Sequence, residues 1–305
     1  MQQYTLIQWL FFFYFYCFFG WIFESTYVSA KSRKFVNRGF MRGPFLPIYG
    51  SGAIMMLVVS MPFQDNILLT YIAGCIGATA LELATGVIME ALFKVRYWDY
   101  SSQKFNYKGH ICLSSTIAWG FLTILMTGFV HRGVEKVILT IPYMAVTVIT
   151  VAVTVYIIID FTLSFKAAMD LRDILIGLEK AKEEMERIQK RLDVIIAVVN
   201  DERETYRQER NMRIDELMEN IEGTFSSLKE RIKVSPSDFM EEVREEIAEL
   251  RSRYSIEKEH RRQFRRLKDF YQRSIIKGNP TMYSKRFGEA LEELKKAAQE
   301  RRKNK

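Results

Sequence analysis

The stretch Ala73-Gly74-Cys75-Ile76-Gly77-Ala78-Thr79-Ala80-Leu81-Glu82-Leu83-Ala84-Thr85-Gly86-Val87-Ile88-Met89-Glu90-Ala91-Leu92-Phe93 decides the fold. At ~1.5 Å per residue it is long enough for the ~30 Å hydrocarbon core of a bilayer. It nevertheless carries two carboxylates, Glu82 and Glu90. An acidic group at the centre of a membrane helix costs roughly 2.5–3.5 kcal/mol, so a compensating environment is expected. The stretch then runs into a polar loop, Lys94 to Gly109, that contains Trp98-Asp99-Tyr100-Ser101 and is followed by His110.

Glu82, Gly86 and Glu90 recur every fourth residue and share a helix face. Their spacing puts the two carboxylates ~12 Å apart along the axis, too far to share a proton as an acid dyad. Ala73, Gly77, Ala80 and Ala84 are small enough to let neighbouring helices approach. Glu82 then either hydrogen-bonds a neighbouring helix or lines a functional polar cavity.

Working outward, five apolar stretches read as spans: about 5–28, 46–61, 67–93, 111–130 and 137–165. The second is the shortest and contains Gly50 and Gly52, as a tilted or re-entrant helix would. The first is crowded with Phe and Tyr, read as a packing and lipid-facing surface. It lacks a basic leader and a cleavage site, so it reads as a retained span rather than a signal peptide. Lys31, Arg33, Lys34, Arg38 and Arg42 follow span one, and Lys94, Arg96, Lys104 and Lys108 follow span three. Basic loops stay in the cytoplasm. The expected arrangement is a multi-pass protein of the cell's inner membrane with its N-terminus outside and its C-terminus in the cytoplasm.

That orientation gathers the unusual polar residues at one leaflet. Candidate members of a binding pocket are Glu24, Arg38, Arg42, Tyr49, Glu82, Glu90, Asp99, Asn106 and His110, with Asp160 nearby. Arginine grips carboxylates and phosphates with two parallel hydrogen bonds. The set therefore reads either as an internal ion-pair network or as a pocket for a polar head group or solute. Cys17, Cys75 and Cys112 lie in or beside apolar runs and form no CxxC. No metal set, no Walker loop and no GxSxG elbow occurs, so no cofactor and no catalytic constellation is expected.

Several strings stand in a specific order: Gly20-Trp21-Ile22-Phe23-Glu24, Arg38-Gly39-Phe40, Gly43-Pro44-Phe45-Leu46-Pro47-Ile48-Tyr49-Gly50, Glu82-Leu83-Ala84-Thr85-Gly86 and Trp98-Asp99-Tyr100-Ser101 with Asn106 and Gly109. Over roughly residues 6–160 the chain resembles the ABC-transporter type IV family, also called CmpB-like. The resemblance implies a permease-like bacterial inner-membrane protein. Since the chain has no ATPase domain, a separate ATPase subunit would be its partner.

Residues 1–165 carry 11 Lys/Arg and 7 Asp/Glu, whereas residues 166–305 carry 33 and 29. The second part thus reads as a water-facing helical tail behind a membrane domain, in an all-α chain. Leu171, Ile174, Leu178, Ala181, Met185, Ile188, Leu192, Ile195 and Val199 alternate steps of three and four. That is a heptad seam, continued more weakly through Ile214 to Ile232, for a coiled coil over about 171–232. Further helices are expected over about 236–276 and 281–301, separated by Lys277-Gly278-Asn279-Pro280. Arg261, Arg262, Arg265, Arg266, Lys268 and Arg273 form a basic segment, read as a solvated face ahead of lipid contact, with nucleic acid last. Three functional readings follow in order: a permease-like transport component, a membrane scaffold or sensor oligomerising through its tail, and an inner-leaflet lipid-modifying enzyme.

Overall fold

The computed structural model describes residues 4–200, 236–264 and 270–300, and its secondary structure is almost entirely helical. The first helix, α1 (Leu6–Ser32), starts with a reciprocal cap in which Thr5 and Gln8 satisfy each other's backbone N–H groups. It buries Phe12, Tyr16, Cys17, Gly20 and Ser25. Ile22, Phe23 and Phe19 point outward. Next come α2 (Pro47–Ser60), with Pro47 in the first turn where its missing N–H costs nothing, and a 3-10 turn at Met61–Phe63. The central helix α3 is Ile67–Phe93, begun by Asn66, whose side chain accepts from Leu68 and Leu69 N–H groups, and ended by Lys94 in the left-handed conformation.

After a loop and a two-stranded antiparallel ribbon, β1 (Asn106–Tyr107) and β2 (Ile111–Cys112), the chain enters α4 (Leu113–Leu125). A π-turn at Met126–Val130 leads directly into α5 (His131–Leu139). The loop expected between spans four and five is thus largely helical. Ile138 and Val134 pack against Phe12 and Leu57, and buried His131 accepts or donates at both ring nitrogens, to Tyr16 and Tyr4. Burial of that apolar face outweighs the charges of Arg132, Glu135 and Lys136. The long α6 (Tyr143–Asn200) follows.

Among the described residues, four helical stretches are long and apolar enough to cross a membrane: Leu6–Ser32, Ile67–Phe93, Leu113–Leu139 and Tyr143–Ala197. The fifth expected span, Pro47–Phe63, is a shorter apolar helix. Small residues set the helix spacing. A Cβ on Gly20 would lie 2.4 Å from the Tyr49 ring, and one on Gly74 2.2 Å from Thr123 Oγ1. On α3 the buried stripe is Thr70, Gly74, Ala78, Glu82 and Gly86; of the expected Ala73, Gly77, Ala80 and Ala84, Gly77 also meets a neighbour closely, an added Cβ falling 2.8 Å from Val59.

The other helices among the described residues are α7 (Pro236–Phe264), α8 (Phe270–Gly278) and α9 (Gly288–Glu300). Two compact units result: Met1–Leu175 with Leu267–Lys305, and Ile176–Arg266. In the second, Ile188 and Ile195 pack on Leu250, while Arg191 pairs with Glu246 and Arg253 with Glu184. Those pairings run in opposite directions along the sequence, so the two helices are antiparallel. The weaker apolar run, Ile214 to Ile232, and basic residues Arg265, Arg266 and Lys268 lie outside the described residues.

Candidate functional site

Glu82 is 6% exposed in the middle of the α3 stripe. It accepts from Tyr100 Oη at 2.9 Å, Trp119 Nε1 at 2.9 Å and Ser115 Oγ at 3.2 Å. All three donors are neutral. Ser115 and Trp119 are one turn apart on α4 and so present both groups to the same neighbour. The polar loop folds back to deliver Tyr100, whose N–H donates to Gly109 O while Gly109 takes a positive φ of 78°. Burial, then the charge of Glu82 and, more weakly, that of Glu24, raises the Tyr100 phenol above its usual range, so it stays a donor.

Glu24 belongs to an adjoining group. Tyr49 Oη donates to Glu24 at 2.6 Å, and Arg38 Nε lies 3.4 Å from the same carboxylate. Arg38 Nη1 reaches Asn279 Oδ1 at 3.1 Å. Tyr97 is buried, and its hydroxyl has no hydrogen-bond partner among the described residues. Burial raises its pKa, and only the charge of Arg38 opposes that.

Glu90 forms a separate group with residues of the loop. It lies 2.8 Å from Arg96 Nε and 3.1 Å from His110 Nε2. Burial, then the positive charge of Arg96, lowers the His110 pKa against the pull of Glu90. That shift favours the neutral imidazole, with Nε2 facing Glu90. Asp99 accepts from Ser101 N and Oγ and stands 3.5 Å from Arg96. Asn106 donates to Gln103 O and Ser101 O and accepts from Gly109 N, which makes it a loop-forming residue.

The nine candidates therefore fall into separate bonded groups. Glu24, Arg38 and Tyr49 come together, Glu82 stands beside them with neutral donors, and Glu90, Asp99 and His110 surround Arg96. Arg42 leaves the carboxylates and lies over the Phe270 ring at 4.1 Å, because α8 offers it an aromatic face. Asp160 accepts from Gly43 N at 2.8 Å and so fixes the first loop.

Sequence reasoning missed Ser115 and Trp119, although their spacing of four was a signal. It counted Arg96 as a loop base, whereas the residue is 6% exposed and central to the ion pairs. Nothing in the sequence announced Asn279, whose Nδ2 donates to Gly39 O at 2.8 Å, or Tyr283, whose N–H and C=O pair with those of Arg96. No group of three His, Cys, Asp or Glu able to hold a metal occurs among the described residues.

Long apolar helices, closely packed through small residues around buried polar groups, define a helical membrane protein. A family model described as Putative ABC-transporter type IV matches residues 11–165, just over half of the chain, and the chain belongs to that family. No curated protein and no solved structure matches it.

Proposed function

We propose that this protein is a permease-like component of a membrane transport system, with a polar site that opens to the cytoplasmic leaflet and receives a positively charged guest. The observation that carries the reading is the environment of Glu82. It is a buried carboxylate on an apolar helix, bonded to neutral donors, beside a Glu24–Arg38 pair. Two carboxylates thus stand against one guanidinium, and Tyr49, Tyr97 and Tyr100 supply aromatic surface of the kind that favours cations. The unpartnered Tyr97 hydroxyl is a further group for a guest to meet. The family description supports transport, and an ATPase on a separate chain would supply the energy. On this reading residues 1–165 form the membrane domain of an inner-membrane protein, with the basic first and third loops and the C-terminus in the cytoplasm.

The test is a thermal-stability screen of the purified chain against choline, spermidine and arginine, with matched neutral and anionic solutes. A cation should raise the melting temperature of the wild type and lose that effect in Glu82→Gln, whose amide keeps the shape and most hydrogen bonds. A Gln variant that responds like the wild type would overturn the proposal. Orientation is tested by a single cysteine at Tyr107, which an impermeant maleimide should reach only from the cytoplasmic side.

The scaffold reading loses ground to one observation. Ile188, Ile195 and Leu250 already bury each other within a single chain. That leaves less of the apolar seam for self-association.

A further inference from the structure

Beside the last two turns of α3, a cavity of about 340 Å³ lies between that helix end and the segment that leads into α9. Its lining divides by chemistry. Val87 and Phe287 supply an apolar wall, Ser284 a hydroxyl, and Lys94, Lys285 and Arg286 the positive charge.

The carboxylate in the lining does not neutralise those cations. Glu90 is engaged by Arg96 and His110. Lys94, Lys285 and Arg286 are exposed and form no ion pair among the described residues. Nor is the hydroxyl of Ser284 idle: it donates to Lys94 O at 2.7 Å and receives Phe287 N–H at 3.2 Å. These two bonds fix the turn that carries Lys285 and Arg286 against the end of α3. The bridge between Arg96 and Tyr283 holds the same turn from its other side. Three cations are therefore presented together by an ordered backbone, from two parts of the chain 190 residues apart.

We propose that this cavity is a binding site for a phosphate group carried by an anionic lipid. Arginine offers phosphate a planar fork and lysine a compact point charge. The volume falls within the range of small-molecule sites and exceeds what a phosphate alone needs, leaving room for a glycerol backbone along Val87 and Phe287. Position favours a lipid over a soluble guest. Lys94 is the first residue after the apolar stretch Ile67–Phe93, and Val87 and Ile88, within its last two turns, are exposed. A head group at the bilayer surface would meet the cations while its chains ran down the exposed face of α3. This site is distinct from the Glu24–Glu82 cluster, and its charge is of the opposite sign, so it stands or falls independently of the cationic guest proposed there.

The experiment uses the full chain in nanodiscs of phosphatidylcholine, with and without phosphatidylglycerol, and counts retained lipids by native mass spectrometry. The wild type should retain phosphatidylglycerol selectively. The double variant Lys285→Glu/Arg286→Glu should lose about tenfold or more of that retention, and Lys94→Asn, which suits the left-handed backbone at that position, should lose a smaller part. Lys136→Glu, a single charge reversal on α5 outside the cavity lining, should behave as wild type. A parallel arm measures protection from thermal unfolding by inorganic phosphate in phosphatidylcholine discs. Phosphate protection that disappears in the double variant assigns the same chemistry to a soluble phosphate; lipid selectivity without it assigns the site to the bilayer. Retention unchanged in both basic-site variants, or reduced equally by Lys136→Glu, would overturn the proposal. Cold-folded yield and the melting temperature in phosphatidylcholine discs report whether each variant has folded.

Discussion

The hydrogen bonds to Glu82 make a double demand on that residue. An ionised carboxylate has lone pairs enough for all three donors; without it Tyr100 and Trp119 would lose their acceptor, whereas Ser115 Oγ keeps Cys112 O at 2.9 Å. Glu82→Ala should therefore destabilise the protein by about 1–3 kcal/mol for each donor left without a partner, read as a fall in melting temperature. Glu82→Gln should cost much less. His110 gives a pH signature. Its folded pKa lies below the usual value of 6.5, so below about pH 6.5 the unfolded chain takes up a proton that the folded chain refuses. Stability contributed by the neutral imidazole is present above that pH and is lost as the pH falls. Melting temperatures recorded from neutral to mildly acidic pH should fall in the wild type and fall less in His110→Gln.

At the scale of elements, α3 and α4 approach through notches rather than through complementary large side chains. A Cβ on Gly74 would meet Thr123, itself fully buried. Gly74→Val should cost about 1–3 kcal/mol by overpacking, measured as a lower denaturant midpoint in detergent, whereas Gly133→Ala, with open space around it, should leave the midpoint unchanged. The same contrast explains what could be read in advance. The bounds of α3 follow from its composition alone, since a long apolar run has few alternatives to a helix. The buried face does not, because small residues occur all round α3 and only the partner helix selects Gly74 and Ala78 over Ala73 and Ala80. The α4–α5 continuity was hidden for a different reason: Arg132, Glu135 and Lys136 suggested a loop, while Val134 and Ile138, one helical turn apart, which bury the other face, were too few to outvote them.

On the scale of the whole molecule, the segment Gly278 to Ser284 is joined to the first and third loops by specific polar bonds. Asn279, 1% exposed, bonds Arg38 and Gly39, while Tyr283 and Ser284 bond Arg96 and Lys94. A substitution Asn279→Ala should cost about 1–3 kcal/mol and loosen the first loop, so that trypsin cuts after Arg38 and Arg42 several-fold faster than in the wild type. The sequence made these contacts invisible, because single polar side chains pairing with backbone across some 240 positions leave no periodic trace. They also impose an order of events at the ribosome. The helices that enter the bilayer emerge early, but Asn279, Tyr283 and Ser284 are translated well over a hundred residues after the loops they bond. Until then the two loops must wait at the membrane surface with those bonds unmade, within reach of proteases and quality-control factors. A nascent chain stalled before Asn279 would thus be inserted but unfinished.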